Sequence, residues 1–189
     1  EYIDFFIKES PQRTYLKFGV HYDNLLKTGF LMNYTRNYFL QSSDFLSLDL
    51  IVGDNSRYQF DYFVDKGFYI SYGVRLRFMQ FERKLNAHRL SNYRIEGSEL
   101  NRMDVEAYDL VNQVYLQTLL GNGFVFGLGA EHRKIRFDAE QVYGLSTVVS
   151  YAENTHFGSL YSYIKYDSLD NTFFPTRGVY FSSQFNLYA

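Results

Sequence analysis

From position 68 to 78 every second side chain is apolar. Phe68, Ile70, Tyr72, Val74, Leu76 and Phe78 share one face of an extended chain, and Tyr69, Ser71, Gly73, Arg75 and Arg77 share the other. A period of two is that of a β-strand, whose successive side chains leave on opposite sides. Two arginines on one face of such a strand need water or partners. The pattern recurs: Leu16, Phe18, Val20 and Tyr22 alternate with Lys17, Gly19, His21 and Asp23. Leu46, Leu48, Leu50 and Val52 alternate with Ser47, Asp49 and Ile51, and Tyr58, Phe60, Tyr62 and Val64 with Gln59, Asp61 and Phe63. Phe30, Met32 and Tyr34 against Asn33 and Thr35 repeat it more weakly. Residues 105–120, 124–137, 157–166 and 179–188 bring the count to about nine strands, and no stretch reads as a helix. The fold class is all-β, an antiparallel meander.

Turn geometry sets the expected register. A turn centred on Asn55 sets Leu48 against Tyr62, Leu50 against Phe60 and Val52 against Tyr58, and Asp49 directly against Asp61. A turn centred on Lys66 sets Val64 against Phe68, Tyr62 against Ile70 and Phe60 against Tyr72. Gly121-Asn122-Gly123 marks a hairpin. A three-residue loop there pairs Leu116 with Leu128, Val114 with Ala130 and Gln113 with Glu131. A two-residue loop would set Gln113 and Gln117 against an apolar row. Residues 84–102 and 138–154 are polar and mixed, and read as long loops.

Alternation alone fits a soluble barrel with its apolar row inside or a membrane barrel with that row outside. Several strands reach the ~9–11 residues that cross a bilayer. The more polar row carries Asp49, Asp61, Arg75, Arg77, Gln113, Gln117, Glu131 and Arg133, too many charges for a dry core. The chain holds 19 Tyr and 19 Phe, 20% aromatic with no Trp, a density that suits interface girdles. Connections alternate in length: those at 36–44, 65–67 and 121–123 lie on one side, and the long polar stretches lie on the other. Together these favour the membrane barrel over a soluble ligand-binding one. Mean hydropathy is −0.30, and no apolar run approaches the ~18 residues of a membrane helix. Glu1 is no initiator and no secretory signal is visible, so the chain reads as a mature or excised piece.

Composition narrows the chemistry. Cysteine is absent, which removes disulfides and thiolate chemistry. A net charge of −2 offers no bulk attraction for nucleic acid. His21, His88, His132 and His156 lack ligand spacing, and there is neither a Gly-x-Ser-x-Gly elbow nor a phosphate-cradling glycine loop. The chain is not expected to be an enzyme or to hold a cofactor or metal. The facing pair Asp49 and Asp61 is a like-charge contact needing compensation. It reads as part of a lumen charge network with Arg75, Arg77, Glu131 and Arg133, with an Arg or Lys head group near both carboxylates, rather than as a catalytic dyad.

Asp170-Asn171-Thr172-Phe173-Phe174-Pro175-Thr176-Arg177-Gly178 resembles the D-x-x-(Y/F)-F-P-T-(R/D)-G connection of the BamA/TamA-type outer-membrane barrels, the bacterial surface antigen family. There it joins two mid-barrel strands on the periplasmic side. Residues 2–9, followed by Ser10-Pro11, resemble the last strand of a periplasmic POTRA domain, and residues 14–24 the family's first barrel strand. Gly53-Asp54-Asn55-Ser56-Arg57-Tyr58 and Asp61-Tyr62-Phe63 look closest to barrels behind patatin-like phospholipase domains. The resemblance implies a POTRA-like end at 1–10 and, at 14–189, the first half of a barrel of about sixteen strands in the bacterial outer membrane. It implies a role in protein insertion or translocation, or as anchor and exporter of a patatin-like lipase. Implied partners are outer-membrane lipid, the missing strands of the same parent or of other chains, and client polypeptide. The first strand, with Tyr15, Lys17, Gly19, His21 and Asp23, would border a lateral seam. The Val-Arg-Gly-Phe/Tyr motif of the family's second half does not occur here. Arg177 reads as a turn residue bonding to carbonyls or to Asp170 more readily than as a phosphate ligand. A passive pore or adhesin-like barrel is the alternative function.

Overall fold

The computed structural model describes residues 13–23, 27–86, 94–95, 98–121, 123–143, 147–171 and 174–188. They form strands β1 (Thr14–Asp23), β2 (Lys27–Asn37), β3 (Asp44–Gly53), β4 (Arg57–Val64), β5 (Ser71–Asn86), β6 (Arg94–Ile95), β7 (Ser98–Leu120), β8 (Phe124–Tyr143), β9 (Thr147–Asp167) and β10 (Tyr180–Tyr188). Nine of these run in one antiparallel meander in the order β1-β2-β3-β4-β5-β7-β8-β9-β10, and the two-residue β6 pairs with β7. No helix occurs among the described residues. The resemblance drawn for residues 2–9 lies outside the described residues.

Among the described residues the sheet is a single layer, and none of them packs on the outside of its apolar face. Leu16, Phe18, Val20, Leu76, Val114, Leu116, Leu128 and Leu160 are all exposed there. Water would not tolerate an apolar surface of this extent, whereas lipid matches it.

The apolar stretch does not run straight across the ladders. The row through Phe18 passes Met32, Leu50, Tyr58, Phe78 and Leu110, then ends on Lys134 and His156. The row through Leu128, Leu116, Tyr72 and Val64 ends at Asp44, the first residue of β3. Between β1 and β10 the apolar centre drifts by about eight residues over eight inter-strand steps. At roughly 3.4 Å per residue and 4.8 Å per step, that is a strand tilt of about 35° to the membrane normal. Membrane barrels tilt their strands by a similar amount.

Two register expectations need correction. Leu48 faces Phe60 and Leu50 faces Tyr58, so Asp49 lies opposite Gln59 and Ser47 opposite Asp61. Asp49 and Asp61 therefore do not face each other. Gly53 stays in the β2 ladder opposite Gly29, and Asp54 ties itself to Thr28 through both its carboxylate (3.1 Å) and its N–H (3.2 Å). The buried Asn55 accepts the Glu82 N–H at 2.7 Å. These bonds centre the turn on Asp54, and a one-residue change of centre moves partners by two. Likewise Val64 faces Tyr72 and Tyr62 faces Val74, because Phe68 and Ile70 precede the strand. Lys66 N–H donates to Ser71 Oγ (2.9 Å) and Gly67 N–H to Asp65 Oδ1 (2.8 Å), which closes a longer turn with Gly67 at φ 59°. Both shifts are even, so each side chain keeps its face.

The third correction concerns the expected loops. β5 runs on to Asn86, β7 starts at Ser98, and β8 and β9 reach Tyr143 and Thr147. Where these strands leave the apolar band, the two faces exchange character. Val105, Ala107, Ile135, Phe137 and Ala139 continue the formerly polar row, and Glu106, Arg136, Asp138 and Glu140 continue the formerly apolar one. Outside a membrane the outward face meets water, so charge belongs there. The hairpin at Gly121 and Gly123 has the expected pairing of Leu116 with Leu128, Val114 with Ala130 and Gln113 with Glu131.

Glycines on the polar face make room for aromatic rings. Gly73, Gly127 and Gly129 stand opposite Tyr115, Tyr163 and Tyr161. A Cβ on Gly127 would lie 2.1 Å from the Tyr163 ring, and one on Gly129 would lie 2.4 Å from the Tyr161 ring. Tyr163 is further fixed by donating its hydroxyl to Gln117 Oε1 at 2.7 Å. Gly158 on the other face has open space around it. In the full-length protein refolded into detergent micelles, Gly127→Ala is expected to lower unfolding free energy in urea by about 1–3 kcal/mol through overpacking. Gly158→Ala should stay within roughly 0.5 kcal/mol. Equal effects would show that the ring–glycine contacts do not govern packing.

Candidate functional site

Three features carry the expected functional residues: the β9–β10 connection, the charged layer of the polar face, and the β1 edge. In the connection Asp170 is the hub. Its carboxylate accepts the Thr176 hydroxyl (2.6 Å), the Thr176 N–H (2.9 Å) and the Arg177 N–H (3.1 Å), and its own N–H donates to the Arg177 carbonyl (3.1 Å). Asn171 Oδ1 accepts the Phe174 N–H at 3.2 Å. Gly178 sits at φ 104°, and a Cβ there would meet the Ser168 carbonyl at 2.2 Å, so the position requires glycine. Pro175 lies in the exposed turn between these bonds, where a missing N–H costs nothing. Thr172 and Phe173 lie outside the described residues. Arg177 enters the network through its backbone, and its guanidinium makes no hydrogen bond or ion pair among the described residues. Phe174 is 83% exposed, so the motif holds a loop shape rather than a buried site. The Thr176 hydroxyl, then the Arg177 and Thr176 N–H groups, pull the Asp170 carboxyl down to about 2.

On the polar face the charges gather in three neighbouring rows. Asp61 lies directly opposite Arg75 and is bound by it at 2.5 Å, with Gln59 on its second oxygen at 2.6 Å. Glu131 accepts Gln113 at 2.6 Å. Asp49 accepts Asn33 at 2.6 Å, and no Arg or Lys forms an ion pair with it among the described residues. The expected cation is therefore present at Asp61 and missing at Asp49, a consequence of the two-residue register change. Arg133 grips Asp109 through two bonds of 2.8 Å each. Asp109 was not singled out from sequence, although the three-residue hairpin register already sets it diagonal to Arg133. Arg57, the first residue of β4, lies on the same face. Below the charges Phe63 stacks with Tyr115 at 6.0 Å and Tyr161 with Tyr163 at 6.3 Å. Arg77 shares the face but has no partner among the described residues.

Among the described residues, β1 pairs with β2 and with no other strand. Tyr15, Lys17, Gly19 and His21 fall on the polar face, opposite Thr35, Asn33, Leu31 and Gly29, and Asp23 pairs in register with Lys27. Leu16, Phe18, Val20 and Tyr22 project from the other face and are exposed. The structure brings Asp61 together with Arg75, and Asp170 together with Thr176 and Arg177. It does not join the connection, the charge layer and the β1 edge into one site.

A tilted single-layer meander, apolar without and charged within, is the wall of a transmembrane β-barrel. The family model of the OMP85 superfamily matches residues 1–189, and the chain belongs to that superfamily of outer-membrane β-barrels. No curated protein and no solved structure matches it. The apolar face is thus the lipid face and the polar face the lumen.

The Asp170 network has a defined pH window. Its folded pKa of about 2 lies below the ordinary ~3.9 of aspartate. The stability it lends the connection is therefore complete above about pH 4 and is lost as pH falls through about 2. Asp170→Ala should reduce hydrogen-exchange protection of the Thr176 and Arg177 amides on the order of tenfold at neutral pH. Unchanged protection would mean the connection is held by something else.

Proposed function

We propose that this chain is the seam-bearing part of an Omp85-type barrel that inserts or translocates polypeptide at the bacterial outer membrane. In this reading residues 1–10 end a periplasmic POTRA-like domain and 14–189 form the first half of the barrel. The observation that carries it is the β1 edge. Among the described residues β1 has a neighbouring strand, β2, on one side, and its exposed Leu16, Phe18, Val20 and Tyr22 face lipid. Such an edge in lipid demands a partner; in this reading the remaining strands of the barrel meet it at a seam, and where the seam opens an arriving strand takes their place by β-augmentation. Client polypeptide and outer-membrane lipid are the partners.

A second reading rests on the likeness of residues 53–58 and 61–63 to barrels that follow patatin-like phospholipase domains. There the barrel anchors or exports a lipase. POTRA repeats alone upstream favour assembly, and a Gly-x-Ser-x-Gly domain upstream favours the lipase.

The test places a photoreactive benzoyl-phenylalanine at Val20 of the full-length protein in cells. Adducts with newly made outer-membrane proteins are expected. Adducts confined to lipid or to the protein's own strands, in protein that migrates as a folded barrel, would overturn the assembly reading.

A further inference from the structure

Arg57 and Arg77 are neighbouring lumenal charges, and neither forms an ion pair among the described residues. Arg57 faces Met79 across the β4–β5 ladder and Gln59 faces Arg77, so the two arginines are diagonal neighbours on one face. Diagonal side chains of this length reach each other, and like charges so placed repel. The Arg57 Nε is buried without a hydrogen-bond partner. Arg77 makes no hydrogen bond or ion pair among the described residues.

Both line a recess of about 460 Å³ with Asp49 and the Arg133–Asp109 pair, and with Ile51 and Met79 as apolar walls. Of the nearby carboxylates, Asp109 and Asp61 have both oxygens engaged elsewhere, and Asp49 has one. Asp109 gives both oxygens to Arg133, Asp61 binds Arg75 and Gln59, and Asp49 accepts Asn33 without an ion pair to either arginine. Two arginines, one with an orphaned Nε donor, thus line the same recess. A group that satisfies them must be anionic and carry at least two oxygens, because a guanidinium binds such groups in a forked, bidentate fashion. A halide offers no such geometry.

We propose that Arg57 and Arg77 form a lumenal binding site for an oxyanion of the phosphate or carboxylate type, borne by a solute or by a lipid headgroup. Arg57 sits just beyond the end of the lipid-facing run Tyr58–Val64, at the side to which β5, β7, β8 and β9 extend. The ligand therefore enters from that side of the lumen. The inference rests on the polar face being the lumen, and heat-modifiable migration checks that independently.

The experiment is calorimetric titration of the full-length folded protein in detergent, with inorganic phosphate and with short-chain phosphatidic acid. Wild type is expected to bind phosphate, and the R57Q/R77Q double variant to bind it about tenfold more weakly or worse. K165Q removes a lumen-facing cation outside the recess and should bind as wild type does. Tighter binding of phosphatidic acid identifies a headgroup as the source, and tighter binding of free phosphate a solute. Wild type that ignores both probes, or a double variant that binds equally well, would overturn the site. If the double variant does not migrate as a folded barrel, R77Q alone decides, since Arg77 is exposed and has no ion-pair partner among the described residues for its removal to orphan. Heat-modifiable migration without phosphate binding rejects the site and leaves the barrel standing.

Discussion

A backbone in lipid has no water to bond with, so every N–H and C=O must find its partner within the sheet. The remaining features of this chain follow from that constraint. Nine strands pair in unbroken antiparallel order. Their connections are fixed by carboxylates that take up loose backbone donors, Asp170 at one turn and Asp44 at another. Asp44 accepts the N–H groups of Phe39, Leu40 and Gln41 at 2.6, 2.9 and 2.9 Å and the Tyr62 hydroxyl at 2.8 Å. Glycines appear where a tyrosine ring from the next strand must lie against the backbone. The strand tilt, read from the drift of the apolar stretch, is what curling such a sheet into a barrel requires.

The same constraint explains what the sequence showed and where it misled. Inside the membrane one face meets hydrocarbon and the other a wet lumen, so period-two alternation is strong and the strands from Leu16 to Tyr62 are legible. Near Leu110 the alternation changes phase, because the strand passes from lipid into water and its outward face becomes the charged one. Glu106 and Asp138 then lie where Val114 and Leu128 would set an apolar expectation. A reader who seeks one continuous apolar row sees polar disorder at 138–154, where the chain is in fact a paired strand up to Tyr143 and again from Thr147.

Register was less legible than face. Parity is set by the side-chain pattern, but the choice among registers of the same parity is made by turn bonds. Asp54 on Thr28 and Lys66 on Ser71 are such bonds, and no periodicity announces them. The lumen charges therefore appeared in the right layer with the wrong partner at Asp49. The β7–β8 hairpin escaped this error because glycines at both ends of its turn, at φ 64° and 88°, left one economical loop length. The Asp170 connection was legible for a different reason. Its residues are chosen for backbone geometry, with Gly178 at a positive φ and Asp170 as acceptor for its own loop, and such choices survive as a motif.

Cysteine accessibility along a single hydrogen-bonded row tests the account most directly, since the chain contains no cysteine of its own. Leu50, Tyr58 and Lys134 belong to one row and one face, yet the tilt puts the first two in hydrocarbon and the third in water. Single variants Leu50→Cys, Tyr58→Cys and Lys134→Cys, made in the full-length protein in outer-membrane vesicles, would be treated with a charged, membrane-impermeant thiol reagent. With the sheet tilted and its apolar face in lipid, Lys134→Cys is labelled and Leu50→Cys and Tyr58→Cys are protected. Labelling of all three alike, or of the first two alone, would contradict a tilted sheet whose apolar face meets lipid.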